Sequence, residues 1–127
     1  MKLLLDTHAF MWYDNDPEKL SRRVQELCKD PENTLFLSVA SIWEMQVKSQ
    51  LGKLQLRMPL PELIREQQEN GIEILPVEAS HVFALNSMPN HHKDPFDRLL
   101  IAQAIVEEAV LVSADPLIKQ YPVSVEW

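Results

Sequence analysis

The chain has 127 residues, of which 46% are hydrophobic and 24% are charged. This length and composition predict one globular domain spanning residues 1–127, with enough apolar side chains to form a core. The net charge of −7 argues against a protein that binds nucleic acid through a broad positive surface. The charge still allows a protein that meets phosphate groups through a bound cation.

Features of the whole chain indicate its compartment. No apolar run is long enough to cross a bilayer, so no contact with a membrane is expected. The segment MKLLLDTHAF has no small-residue cleavage site, which argues against a signal peptide. The single cysteine, Cys28, excludes an internal disulfide and is typical of a reducing cytoplasm. We therefore expect a cytoplasmic protein in which Cys28 is a buried or half-buried helix residue.

The first half of the chain alternates short apolar runs with helical patterns. KLLLD, at 2–6, is typical of a buried parallel strand, and HAFMWYDND is then predicted to turn. A helix is predicted over 17–30, with a proline in its first position, and a strand over 34–39. Ser38 or Ser41 is expected to begin the helix that follows.

The second half continues this alternation. Its predicted elements are a helix at 61–70, a strand at 72–77, helices at 78–86 and 95–109, a strand at 110–114 and a short strand at 123–126. Strands that alternate with helices predict an α/β fold with a mostly parallel central sheet flanked by helices. Gly52 and Gly71 each follow a helical pattern and are expected to be left-handed caps, which leaves no glycine-rich loop for a nucleotide.

The stretch HHKDPFDRLL packs charge against the start of a predicted helix. Asp94 precedes Pro95 and is predicted to be the N-cap, although ligation of a metal stays open for it. Asp97 lies in the first turn of a helix that is already capped, so we expect its side chain to point towards the rim of the sheet. His91 and His92 have no companions at zinc-site spacing and are interpreted as loop or substrate-edge residues, with ligation of a metal as the less favoured alternative.

Four acids are predicted to meet beyond the carboxyl ends of the strands, where open α/β sheets bind ligands. Asp6 ends the first strand, and Asp115 follows the strand at 110–114. Asp97 begins the helix that leads to that strand, and Glu44 lies early in the helix after the second strand. Any one of them is explained as well by a helix cap or a solvated surface.

Four carboxylates together repel one another unless a cation compensates their charge. Mg²⁺ or Mn²⁺ is the natural cation, because hard divalent ions prefer oxygen ligands. Such a site suits hydrolysis of a phosphodiester by a metal-activated water.

Four blocks of the sequence stand in order over nearly the whole chain: LLLDTHAFMW, SVASIWEMQVKSQLGKL, HHKDPFDRLLIAQA and LVSAD. Together they resemble the motif blocks of PIN-domain ribonucleases, and of the VapC-type toxins of bacterial type II toxin–antitoxin pairs in particular. The resemblance implies a PIN-like three-layer sandwich and a Mg²⁺- or Mn²⁺-dependent endoribonuclease toxin, usually homodimeric and held inactive by a small antitoxin. The acidic residues of the family fall on Asp6, Glu44, Asp97 and Asp115.

Neighbouring polar residues have supporting roles in this interpretation. Thr7 and Ser113 would orient an acid or a water, unless they make only ordinary turn hydrogen bonds. Arg98, Lys93 and Lys48 would contact RNA phosphates, unless they are simply solvated.

Apolar side chains predict assembly. Phe10, Met11, Trp12 and Trp43 are expected in the core, although part of their surface would suit a partner helix. The segments around Phe10–Trp12 and 61–70 offer more apolar surface than the sheet needs, so we expect a homodimer and a complex with an antitoxin.

Two other classes of function stay open. One is another metal-dependent phosphohydrolase, such as a phosphatase with an aspartyl nucleophile, but Asp6 is followed by Thr-His without a second aspartate two residues on. The other is a non-catalytic PIN-like domain that binds RNA or protein, and the presence of all four acids argues against it.

Overall fold

A computed structural model describes residues 1–127. Its strands are β1 (Lys2–Leu5), β2 (Thr34–Ser38), β3 (Glu73–Leu75), β4 (Val110–Val112) and β5 (Val125–Glu126). Its α-helices are α1 (Thr7–Asn15), α2 (Arg22–Lys29), α3 (Val39–Gln50), α4 (Leu60–Glu69), α5 (Ala79–Ala84) and α6 (Pro95–Val106). None of the helices has both the length and the apolar character needed to span a bilayer.

All five strands form one parallel sheet in the order β3-β2-β1-β4-β5. The central strand is β1, in which Leu3 pairs with Leu35 of β2 on one side and with Val110 of β4 on the other. The chain adds β2 and β3 in one direction and then returns to add β4 and β5 in the other. The switch in direction therefore lies between β1 and β4, which is where sheets of this kind bind ligands.

Helices cover both faces of the sheet, because side chains of β1 alternate between two apolar clusters. Leu3 and Leu5 pack into the cluster that contains Phe10 of α1, whereas Leu4 packs into the cluster that contains Leu100 of α6. Each leucine that is fully buried in this way contributes roughly 1.5–3 kcal/mol. The predicted α/β sandwich, with a parallel sheet between layers of helices, is confirmed.

The predicted turn over HAFMWYDND is wrong, because α1 begins at Thr7, directly after β1 and the single residue Asp6. The Asp6 carboxylate accepts the Ala9 N–H group at 2.8 Å, which caps the helix. Within α1, Ala9 and Phe10 are fully buried, and Met11 to Tyr13 are half-buried. Such a helix has no clean polar face, so its sequence lacks the periodicity that would reveal it.

The predicted helix over 17–30 is divided in the structure. Pro17 begins a short 3-10 helix that ends at Lys19, and α2 starts separately after Ser21. The Ser21 hydroxyl accepts the Val24 N–H group at 3.1 Å and so provides the N-cap. Cys28 lies half-buried in α2, as predicted, and burial raises the pKa of its thiol to about 11.

Several predicted elements are shorter than expected. The third strand covers only Glu73–Leu75, and the segment after Ala84 is a 3-10 helix rather than a continuation of α5. The helix predicted over 95–109 ends at Val106 because Glu108, at φ 53°, leaves the helical conformation. Gly52 and Gly71, at φ 72° and 100°, confirm the predicted left-handed caps.

Candidate active site

The four predicted acids lie at the carboxyl edge of the sheet, in an arrangement here called the acidic edge: Asp6, Glu44, Asp97 and Asp115. Asp6 follows β1 and Asp115 follows β4, so the two acids flank the switch point. Asp6 and Glu44 are only 6% and 3% exposed, whereas the side chains of Asp97 and Asp115 are 22% and 31% exposed. Asp6 and Glu44 therefore form the buried part of the acidic edge, called its floor. Asp97 and Asp115 form its more exposed part, called its rim.

The electrostatics of Asp97 show that these acids act on one another. The pKa of Asp97 is raised to about 7, first by burial, then by the negative charges of Asp94 and Asp6, with a further contribution from Glu44. Burial also raises the pKa of Asp6, against hydrogen bonds from Ser113 and Ala9. Burial and mutual repulsion of the acids therefore favour a protonated Asp97 near neutral pH.

Three acids of this region cap helices, each through one oxygen only. Asp6 Oδ1 accepts the Ala9 N–H group, and Asp115 Oδ1 accepts the Leu117 N–H group at 2.9 Å. Asp94 Oδ1 accepts the N–H groups of Phe96 and Asp97 at 2.9 and 3.3 Å, which confirms its predicted role as a cap. Because capping uses Oδ1, it leaves Oδ2 of each residue for a second contact. Asp97 is not a cap.

Glu44 is held by partners on both of its oxygens. The Thr7 hydroxyl donates to Glu44 Oε1 at 2.6 Å and lies 2.9 Å from the Ser41 hydroxyl, which can donate to it in turn. The Lys48 ammonium donates to Glu44 Oε2 one helical turn away. This hydrogen bond is the first cause of the raised pKa of Lys48, and the charges of Asp94 and Asp97 add to it. Lys48 therefore places positive charge against the floor of the acidic edge.

Ser113 connects two acids that come from different strands. Its hydroxyl oxygen accepts the Asp115 N–H group at 3.1 Å. The same side chain forms a hydrogen bond with Asp6 that lowers the pKa of that acid. Ser113 is fully buried, so these contacts are protected from water. Thr7 thus contacts an acid directly, and the contact of Ser113 with the Asp115 N–H group is the ordinary turn hydrogen bond that was the alternative for this residue.

His92, predicted to be a loop or substrate-edge residue, contacts two of the four acids directly. Its Nε2 atom lies 2.7 Å from Asp115 Oδ2 and 3.3 Å from Asp97 Oδ2, well inside the acidic edge rather than in a remote loop. Burial acts to raise the pKa of Asp115, but the hydrogen bonds from Leu117 and His92 and the charge of His92 lower it overall. His91 is exposed, and its ring packs edge-on against Tyr121.

The remaining side chains with predicted roles differ in their environment. Arg98 donates to the Pro89 carbonyl at 2.9 Å, which ties it to the loop before α6, and Lys93 is exposed. Phe10 lies in the core, but Trp43 is 60% exposed and packs edge-on against Phe96. The prediction that Trp43 belongs to the core is therefore wrong, because its position on α3 faces outward beside the start of α6.

Comparison with known proteins identifies the family to which this chain belongs. The family profile described as PIN domain matches residues 3–123. The chain therefore belongs to the PIN-domain family.

Individual proteins are similar to this chain over nearly its whole length. Ribonuclease VapC22 of Mycobacterium tuberculosis is 28% identical over 122 residues, which cover 94% of this chain and 91% of that protein. The fold is similar to VapBC2 of Rickettsia felis bound to a promoter DNA fragment, with a TM-score of 0.73, 21% identity and coverage of 100% and 99% of the two chains. It is also similar to DNA-bound VapBC of Salmonella typhimurium, with a TM-score of 0.71, 14% identity and coverage of 99% and 97%.

Proposed function

We propose that this protein is a Mg²⁺- or Mn²⁺-dependent endoribonuclease that acts as the toxin of a toxin–antitoxin pair. The observation that carries the proposal is the convergence of Asp6, Glu44, Asp97 and Asp115 from four separate segments. Membership of the PIN-domain family and similarity to Ribonuclease VapC22 support the same reaction.

The donor set of the acidic edge fits a hard divalent cation. Its ligand atoms would be carboxylate oxygens, and the raised pKa of Asp97 marks a position where positive charge is favourable. When bound, the cation would supply an activated water and stabilise negative charge on the attacked phosphate. Asp97 would release its proton as the cation binds, because ligands must be deprotonated.

The protein's own side chains would hold this site in shape. Thr7 fixes one oxygen of Glu44, and Ser113 joins Asp6 to Asp115. Lys48 lies beside Glu44, where it can offset part of the negative charge and contact a phosphate of the RNA. Arg98 and the exposed Lys93 would contact more distant phosphates of the same strand.

The partners we propose are a second copy of this chain and a small antitoxin. An apolar groove of about 430 Å³ lies between α3 and α4 and is lined by Val39, Ile42, Trp43, Gln46, Leu60, Pro61 and Ile64. Val39 and Trp43 in this groove are 41% and 60% exposed, which is unfavourable for an isolated chain. We assign this groove to the homodimer and expect the antitoxin to cover the acidic edge.

The test is RNA cleavage by the purified protein with and without divalent cations. Cleavage should stop in EDTA and return with Mg²⁺ or Mn²⁺, because the four acids would then regain a compensating charge. The Asp97→Asn variant, purified in parallel, controls for a contaminating nuclease. Cleavage that continues undiminished in EDTA, or equally in the variant, would refute the proposal. Hydrolysis of a small phosphate ester without cleavage of RNA would favour a different phosphohydrolase.

A further inference from the structure

The contacts of the His92 ring decide which of its nitrogens carries hydrogen. The Asp94 N–H group donates to His92 Nδ1 at 3.1 Å, so Nδ1 acts as an acceptor and has no hydrogen of its own. In a neutral ring the hydrogen is then on Nε2. Nε2 faces Asp115 Oδ2 at 2.7 Å and Asp97 Oδ2 at 3.3 Å, both of which can only accept when ionised.

This tautomer has a consequence for metal binding. His92, Asp97 and Asp115 place one nitrogen and two carboxylate oxygens within 4.8 Å of one another, a spacing that would admit a metal ion. Ligation through Nε2 would move the ring hydrogen to Nδ1, where it would face the Asp94 N–H group donor to donor. The backbone of the helix cap thus opposes His92 as a ligand and favours it as a hydrogen-bond donor.

The loop that carries His92 is fixed from the opposite side by Tyr121. The Tyr121 hydroxyl accepts the N–H groups of His91 and His92 at 3.0 and 2.8 Å, and Arg98 Nη1 lies 3.3 Å from the same oxygen. Tyr121 is only 4% exposed, so its hydroxyl is a rigid anchor for this loop. The His92 ring is therefore held at both its backbone and its Nδ1 atom.

We propose that His92 is a positioning residue that donates Nε2–H to the acidic edge and holds Asp115 against Asp97, rather than a ligand of the cation. Asp97 lies in the first turn of α6 and Asp115 follows β4, so His92 is a side chain that bridges these two elements at the rim. The inference rests on the proposed function for its role in RNA cleavage. Its two structural parts, the tautomer and the bridge between the acids, can be measured without RNA.

The first measurement is the tautomer of His92 by nitrogen NMR of the full-length protein in EDTA at about pH 8, where an ordinary histidine is neutral. The His92→Gln spectrum identifies the signal among the four histidines. We expect hydrogen on Nε2 and none on Nδ1. Hydrogen on Nδ1 would overturn the proposal, whatever the protein does to RNA.

The second measurement is the affinity for Mn²⁺, read from the electron paramagnetic resonance of the free ion. His92→Phe removes the donor and should weaken binding by about 10–100-fold, as loss of a residue that orients a ligand does. His92→Gln restores an N–H donor near the position of Nε2 and should recover most of the affinity. His91→Gln, which changes an exposed ring and keeps the backbone N–H, is the matched control and should bind like the wild type.

Two results would overturn the role of His92 as a positioning residue. One is wild-type affinity in His92→Phe. The other is a nitrogen coupling to the bound Mn²⁺ that is present in the wild type and absent in His92→Gln, since that coupling would make His92 a ligand. Thermal melting of each variant excludes misfolding, and Tyr121→Phe provides a second perturbation of the same loop that should also weaken Mn²⁺ binding. A wild type that binds Mn²⁺ without cleaving RNA would refute the proposed function alone.

Discussion

Asp94 and Asp97 are three residues apart, yet they have different environments. Asp94 accepts two backbone N–H groups, whereas Asp97 caps nothing and has a pKa of about 7. Asp97→Asn should abolish cleavage without loss of folding, and relief of like-charge repulsion should stabilise the metal-free protein. Asp94→Asn should fold normally and keep substantial activity, because asparagine caps as well as aspartate does, while Asp94→Ala should lose about 1 kcal/mol.

Cleavage rates and thermal melting of the three variants in one buffer test this division of roles. The critical comparison is between the two asparagine variants, because both remove one charge from the start of α6. If Asp94→Asn loses activity as completely as Asp97→Asn while it melts like the wild type, Asp94 is a functional acid as well as a cap.

The pKa of Asp97 also predicts how stability depends on pH in the absence of metal. A carboxyl whose pKa is raised on folding stabilises the folded state below its unfolded pKa, near 4, and this contribution is lost as pH rises through about 7. In EDTA, the free energy of unfolding should therefore fall more between about pH 5 and 8 in the wild type than in Asp97→Asn. Urea denaturation at both pH values measures this difference.

The Asp94→Asn variant should show a pH dependence of stability between those of the wild type and Asp97→Asn. It keeps the Asp97 carboxyl but removes the charge that, after burial, most raises its pKa. Asp6, whose pKa is also raised, is present in all three proteins. If the free energy of unfolding falls equally between about pH 5 and 8 in all three proteins, Asp97 is already ionised at the lower pH.

For single residues, the sequence predicted the positions of the acids better than their contacts. Asp6 and Asp115 were located by the ends of apolar strands, and Asp94 by the proline that follows it. The contact of His92 with the acids was not predicted, because it depends on the path of the loop before α6, for which periodicity gives no information. Its adjacent polar residues were read correctly as a helix start, but the direction of the imidazole was not predictable from them.

Among the elements, α1 and α6 show two different limits of prediction. The turn between β1 and α1 is a single residue, so the predicted loop had no room to exist, and the mixed burial of the helix hid its period. The end of α6 was overestimated because Glu108 adopts the left-handed conformation without being glycine. Where a glycine does mark a helix end, as at Gly71, the prediction was right.

The difference between Glu108 and Gly71 at the ends of helices predicts how substitutions there change the free energy of unfolding. Glu108 is exposed and holds φ at 53°, so Glu108→Gly should relieve strain and raise the free energy of unfolding by up to about 1 kcal/mol. Gly71→Ala is the reverse change, at φ 100° with no atom near the added methyl group, and should lower it by about 1 kcal/mol or more. Urea titration of both variants measures these effects, and a loss of stability in Glu108→Gly would contradict the first.

For the whole molecule, the sequence was sufficient for the order of the strands along the chain and for the parallel sheet, because alternation of strands and helices leaves few other topologies. It was less informative about the outer surface, where Trp43 was placed in the core and is instead exposed. An amphipathic pattern shows that a face is apolar, but it does not show whether that face meets the sheet or another molecule.

The apolar groove between α3 and α4 therefore provides the test of assembly. Val39→Glu puts a charge into the groove at the first residue of α3, where an acid suits the helix dipole, and should convert the proposed dimer to a monomer. Phe83→Glu is the matched control, since Phe83 is 73% exposed on α5, outside the groove. Light scattering at micromolar concentrations measures both. A wild type that is monomeric throughout, or a Val39→Glu protein that remains dimeric, would contradict this assignment.

The central position of β1 has a consequence for synthesis of the protein on the ribosome. Leu3 is made long before its neighbour across the sheet, Val110, and the acid beyond that strand is Asp115. A growing chain that already contains Asp6 and Glu44 still lacks Asp115 of the acidic edge until the residues after β4 have been translated. The proposed cation site therefore cannot assemble early on a nascent chain. Nuclease activity is expected only after β4 and Asp115 have been translated.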